Sequence, residues 1–263
     1  MKKILSFAIV LMLIVSSSSQ SFASTQMIQA NSEIGIVKVQ LEDTESAKMV
    51  LLVEKDDVRY TYPIVDTDIN QFPLQLGNGE YTVRVMQNTV GNSYKELSRI
   101  NVSLDLENSN SVFLASIQDI EFDKSSLPII KAKALTKGLT KDEDKVKAIY
   151  NYVNQNVKYD YSKAKTVKSG YFPNIDSTYK TNTGICYDYA SIVAAMLRSV
   201  GIPTKLIKGY SIPTKDVYHA WNEVYIDGEW KIIDTTVDSA YVQANMSTKM
   251  FKSFSDYKAS KVY

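Results

Sequence analysis

The stretch TNTGICYDYASIVAAMLRSVGIP, residues 181–203, holds the only cysteine of the chain, and its reading organises the rest. From Cys186 onward no breaker interrupts CYDYASIVAAMLRSV, and apolar residues occupy most faces, which predicts a buried helix. Gly201 followed by Pro203 predicts its end. Cys186 then lies at or within one turn of the helix N-terminus, where backbone N–H groups lacking intrahelical partners stabilise a thiolate. Taken alone, the residue is equally well explained as a small buried hydrophobe.

The segments downstream weigh against that bland explanation. TKLIKGY (204–210) is a strand candidate, and VYHAWNEVYIDGEWKIID (217–234) is a marked hairpin with Asp227-Gly228 as the preferred two-residue turn. In that register Ile226 pairs with Glu229, Trp221 faces Asp234 and His219 faces Thr236. Opposed residues share a face, as do residues two apart, so His219 and Asp234 point to one side as diagonal neighbours. A three-residue loop would reverse this parity. A thiol attacks a carbonyl well only when ionised. It therefore needs an imidazole to take and return its proton, and a carboxylate to orient that imidazole. Cys186, His219 and Asp234, the first of them at a helix start, supply those three groups.

Working outward, the chain has 263 residues and a formal charge of +1. MKKILSFAIVLMLIVSSSSQSFAS opens it with Lys2 and Lys3, an apolar run over 4–15, and Ser21-Phe22-Ala23 at a peptidase-type site. The run is shorter than the roughly 20 apolar residues a membrane span needs. Residues 1–23 are therefore expected to be an export signal, with the mature protein secreted, extracellular or held at the cell wall. Without them the chain has 28 basic against 29 acidic side chains, net −1. That balance offers no footprint for nucleic acid or an anionic membrane surface. One cysteine excludes a disulfide framework, and one histidine argues against a His/Cys metal site. No cofactor is expected.

Two textures divide the remainder. Over residues 24–117, short alternating segments predict six or seven strands of a small β-sandwich. Val37, Val39 and Leu41 alternate with Lys38 and Gln40, and Tyr81, Val83 and Val85 with Thr82 and Arg84. AKMVLLVEK (47–55) reads as a more buried strand leading to an Asp56-Asp57 turn. Residues 118–139 read as a connector. The second domain, 140–263, opens on a helix: Thr140 and Glu143 have capping-box spacing, and Val146, Ile149, Val153 and Val157 fall on one face. Residues 159–183 read as a polar, tyrosine-rich irregular segment.

TGICYDYASIVAAMLRSVGIPTKLIKGY (183–210) and YHAWNEVYIDGEWKIIDTT (218–236) together resemble the core of the transglutaminase-like superfamily, and DEDKVKAIYNYVNQNVKYDY (142–161) resembles the helix leading into that core in bacterial members. The resemblance covers about residues 125–240. It implies a papain-like α+β fold, a helix packed on an antiparallel sheet, with the small all-β domain in front. It also implies Cys186 as nucleophile, His219 as general base and acid, and Asp234 as its orienting partner. Trp221, Gly228 and Trp230 match structural positions. Animal cross-linking members place an oxyanion-stabilising tryptophan before the cysteine, whereas both tryptophans here follow it. The backbone N–H of Cys186 is one candidate donor, and Tyr171, Tyr179 and Asn182 are weak candidates for the second. Acidic residues show no calcium-loop spacing.

The expected activity is thiol-dependent acyl transfer from an amide through a thioester. Water as acceptor would make a protease or amidase, an amine a transamidase, with hydrolysis slightly favoured. The expected substrate is a protein or peptide at the cell surface, cell-wall peptides included. The competing expectation is an inert scaffold or adhesin on the same fold, its β-domain binding a surface partner.

Overall fold

Alternation along the strands builds the first half. In the computed structural model, residues 27–41, 48–65, 69–215 and 217–263 are described, and the expected export signal lies outside them. Strands β1 (Met27–Asn31), β2 (Ile36–Gln40) and β5 (Asn70–Pro73) form one antiparallel sheet in the order β1-β2-β5. Strands β3 (Met49–Lys55), β4 (Val58–Ile64), β6 (Gly79–Val90) and β7 (Ser93–Leu104) form a second in the order β4-β3-β6-β7. Inward residues of both sheets share one core: Val37, Val39 and Phe72 from the first, Leu51, Val53, Tyr62, Tyr81, Val83 and Val85 from the second. Tyr62 and Phe72 bridge the sheets with ring centroids 5.2 Å apart. This is the expected sandwich-like layout. AKMVLLVEK differs from its reading: Met49, Leu51 and Val53 are buried, but Val50 and Leu52 are half-exposed. Among the described residues no second layer covers that outer face, where Glu54 accepts from Arg84 and Arg59 instead.

The second half is helical around one central helix. Its elements are α1 (Leu127–Leu135), α2 (Asp142–Asn156), β8 (Lys158–Tyr159), α3 (Tyr161–Thr166), α4 (Ile175–Thr181), β9 (Thr183–Gly184) and α5 (Cys186–Arg198). Then follow β10 (Thr204–Ser211), β11 (His219–Ile226), β12 (Glu229–Ile233), α6 (Thr235–Gln243), β13 (Phe251–Lys252) and β14 (Tyr257–Val262). Every residue of α5 from Asp188 to Arg198 is buried, because β10 and β11 cover one side while α1, α2, α4 and α6 surround the rest. An all-round apolar helix is stable only in such a setting. The sheet is antiparallel in the order β13-β12-β11-β10-β14. Asp227 and Gly228 turn its hairpin with φ of +55° and +81°, the conformation a two-residue turn requires, and set the expected register from Ile226↔Glu229 to Asn222↔Ile233.

Three expectations need correction. The 118–139 connector contains α1, a short helix with Pro128 in its first turn and Ile129 and Ala132 buried. Nine residues, about two and a half turns, are too few to show as periodicity. The Thr140–Glu143 capping box does not form, because α2 starts at Asp142 and Thr140 lies outside its first turn. Asp142, Glu143 and Asp144 instead place negative charge at the positive end of the helix. The 159–183 segment is ordered by β8, β9, α3 and α4. Asp160 Oδ1 caps α3 at the Lys163 N–H and Asn174 Oδ1 caps α4 at the Ser177 N–H, each at 2.8 Å.

Arg198 ties the halves together. Its guanidinium donates to the carbonyls of Thr204 (2.9 Å), Ala115 (2.6 Å) and Tyr263 (3.1 Å). Burial brings its pKa down to about 9, opposed by the charge of Asp119. The carbonyls it holds lie in the second-half core, the strand-to-helix connection and the end of the β14 segment.

Gly209 is required where β10 meets β14. A Cβ there would sit 2.1 Å from the Lys258 carbonyl oxygen and 2.9 Å from the Trp221 ring. Gly209→Ala is expected to destabilise the fold by about 3 kcal/mol through this backbone clash. Chemical denaturation measures it, and an unchanged midpoint would show that β14 yields freely.

Candidate active site

Cys186 is the first residue of α5, and Ile185 before it is extended (φ −94°, ψ 176°). That entry is held from beneath. The Ile185 N–H donates to Asp188 Oδ2 at 2.8 Å, and the same buried carboxylate accepts from Lys163 Nζ at 2.7 Å and from the Tyr171 hydroxyl. A Cβ on Gly184 would lie 2.6 Å from Asp188 Cβ, so the glycine before Ile185 lets the carboxylate fold back under the helix start. Cys186 itself is half-buried, with its thiol free.

His219 opens β11 and Asp234 follows β12. The ladder ends at Asn222↔Ile233, so the expected opposition of His219 and Thr236 is not realised: the chain turns into α6, and Thr236 lies within that helix. The parity argument nevertheless holds at the side chains. His219 Nε2 is 2.9 Å from Asp234 Oδ2, with the two residues 4% and 0% exposed. Asp234 also caps α6 by accepting the Val237 N–H at Oδ1 (3.1 Å), which fixes its rotamer. With Nε2 taken by Asp234, Nδ1 is the ring nitrogen left for Cys186. Burial works against the imidazolium, but hydrogen bonds to Asp234 and Cys186, then the charges of both, outweigh it and raise the His219 pKa to about 10.

Two further residues complete the support. Trp221, on the same strand face, lies 6.2 Å from His219, nearly parallel to it (24°). The Tyr257 hydroxyl donates to Asp234 Oδ2 at 3.0 Å, and its ring packs against Trp221 at 5.0 Å. Burial, then the charge and hydrogen bond of Asp234, keep this phenol protonated well past its ordinary range. No local signal marks Tyr257. It sits in the last strand, and only the pairing of β14 with β10 brings it to the site.

The thiol and imidazole face a cleft of about 470 Å³. Its walls include Tyr159, Tyr171, Tyr187, Lys208 and Tyr218. Among the three weak oxyanion candidates, Tyr171 lines the cleft, but its hydroxyl is donated to Asp188. Tyr179 stacks on Tyr152 with centroids 6.3 Å apart, and Asn182 caps α4 in the left-handed region at φ +53°. Neither lines the cleft. The N–H groups of the first α5 turn lack intrahelical partners and point into this end of the molecule. The arrangement can ionise a thiol, hold an imidazolium beside it and offer a backbone donor to a developing oxyanion.

Residues 131–235 match the family model described as the transglutaminase-like superfamily. The human protein Kyphoscoliosis peptidase is 29% identical over 161 residues, covering 57% of this chain and 23% of its own length. A UPF0252 protein of Methanocaldococcus jannaschii is 36% identical over 118 residues, 40% of this chain and 33% of its own. The chain thus spans a third or less of these curated relatives. Among solved structures, a proposed cysteine protease of Cytophaga hutchinsonii aligns at 19% identity with a TM-score of 0.44, covering 78% of this chain and 72% of that one.

Proposed function

We propose that this chain, whose residues 131–235 belong to the transglutaminase-like superfamily, is a cysteine-dependent acyl-transfer enzyme that hydrolyses an amide bond in a protein or peptide. The observation that carries the reading is the 2.9 Å contact of His219 with Asp234 beside Cys186 at the first position of α5. The Cys186 thiolate attacks the amide carbonyl, and backbone N–H groups at the start of α5 receive the charge on oxygen. Collapse of the intermediate breaks the C–N bond, leaves a thioester on Cys186 and moves the His219 proton to the departing amine. A water molecule, deprotonated by His219, then cleaves the thioester to a carboxylate and restores the thiol. Asp234 holds the ring and stabilises its charged form throughout, itself oriented by Tyr257 and by capping α6.

Hydrolysis is favoured over amine transfer because Cys186 is half-exposed at the floor of the cleft, where water reaches the acyl group. A peptidase role is in keeping with the name of the human relative. Export on residues 1–23 belongs to the same reading and places the substrate at the cell surface. Incubation with a glutamine-containing protein and a labelled primary amine tests the choice of acceptor. Peptide cleavage without label incorporation, both absent in Cys186→Ala, is the expected outcome. Cys186-dependent incorporation without cleavage would make the enzyme a transamidase instead.

A further inference from the structure

The connection between the two halves of the chain reaches the cleft. Ile117 and Ile120 close a tight turn through reciprocal backbone bonds of 3.2 and 2.8 Å, and both side chains are buried. Gln118 ties this turn to the β-domain: its backbone N–H donates to the Gln71 carbonyl at 2.9 Å, and its amide to the Pro63 carbonyl at 3.0 Å.

Asp119, 3% exposed, binds the other half. Its carboxylate accepts from Lys208 Nζ at 3.0 Å and from the Tyr187 hydroxyl, and its carbonyl accepts from Ser191 Oγ at 3.0 Å. Tyr187 directly follows Cys186, and both Tyr187 and Lys208 line the cleft. The Lys208 ammonium also lies over the rings of Tyr187 and Tyr263, 3.7 and 4.6 Å from their centroids. Burial draws the Lys208 pKa down against the attraction of Asp119. An ammonium so enclosed needs a counterion, and Asp119 is the carboxylate in contact with it.

We propose that Asp119 is a positioning residue through which the N-terminal β-domain sets the shape and charge of the cleft beside Cys186, acting on Tyr187 and Lys208. The proposal rests on the reading of Cys186 as the reacting nucleophile. Paired, Asp119 and Lys208 present a neutral wall to the acyl group. Replace the carboxylate with a neutral amide and the wall becomes cationic, while Tyr187 keeps an acceptor oxygen. Remove the ammonium and it becomes anionic.

The test uses two alkylating probes of nearly equal size, anionic iodoacetate and neutral iodoacetamide, on the full chain at pH 6. Their rate ratio at Cys186 is measured in the native protein, Asp119→Asn, Lys208→Met and the double variant. Thermal melting checks that each is folded. The ratio is expected to rise about three- to tenfold in Asp119→Asn, to fall by a similar factor in Lys208→Met, and to return to within about twofold of the native value in the double variant. A merely structural role would not move the ratio in opposite directions. Ratios within twofold of native in both single variants would overturn the proposal, as would a double variant that stays displaced. A native Cys186 no faster at pH 6 than an ordinary free thiol would instead count against the nucleophile reading, and the ratios, then taken at pH 8, would still decide the role of Asp119.

Discussion

His219→Ala is expected to slow alkylation of Cys186 by iodoacetamide at pH 6 by about a hundredfold, the lower end of what a positioned acid or base contributes. At that pH an ordinary thiol, of pKa about 8.5, is almost wholly protonated and slow. In this protein the imidazolium of His219 stands beside the sulfur, and its pKa is raised to about 10 because hydrogen bonds to Asp234 and Cys186 outweigh the cost of burial. The sign follows directly. A histidine whose folded pKa exceeds its unfolded value of about 6.5 stabilises the fold fully below that value. It loses that contribution as pH rises toward 10. The imidazolium beside the sulfur therefore persists in the native protein from pH 6.5 to 9, and its contribution to reactivity should fade only as His219 deprotonates toward pH 10. The alanine variant should instead follow the rising curve of a free thiol. Equal rates for the two proteins at pH 6 would remove the basis for calling Cys186 an activated nucleophile.

Substitution of Asp234 separates catalysis from stability. Asp234→Asn retains an acceptor for the Val237 N–H and so keeps the cap of α6, but it removes the charge that holds His219 as an imidazolium. Turnover of a peptide substrate is expected to fall on the order of a thousandfold, with a smaller drop in the denaturation midpoint than Asp234→Ala gives, because the α6 cap is kept while the charge pair with His219 is lost. Asp234→Ala should lose both. It strips the cap and leaves the buried His219 and the Tyr257 hydroxyl without their acceptor, a destabilisation of about 4 kcal/mol. Urea unfolding of the two variants measures the contrast. An asparagine variant with native turnover would show that the carboxylate only braces the fold.

Much of this site is legible in the residues. The helix from Cys186 can be read because an unbroken apolar run ending in Gly201 has few other outcomes. The pairing of His219 with Asp234 can be read because a two-residue turn fixes parity, and parity decides which side chains share a face. Alternation likewise yields the strands of the β-domain. The missed helices α1, α3 and α4 are only nine, six and seven residues long. Segments this short carry little periodicity: α1 is held by its buried Ile129 and Ala132, α3 by its Asp160 cap, and α4 by both its Asn174 cap and buried Ile175. The Thr140–Glu143 spacing misled for a related reason: local spacing permits a capping box, but α2 takes Lys141 as its N-cap, one residue later.

What the sequence determined by itself is therefore a local geometry: a thiol at a helix start, and an imidazole and a carboxylate brought together by a hairpin. Periodicity and register are properties of bonds between near neighbours, so they are written in the spacing of residues. Only the tertiary structure decided what surrounds them. Tyr257 is 23 residues from the carboxylate it orients, and Asp119 is 68 residues from Tyr187 and 89 from Lys208. Such contacts follow from where β14 docks and how the interdomain turn enters the core, which depends on burying apolar surface across the whole chain rather than on any local pattern.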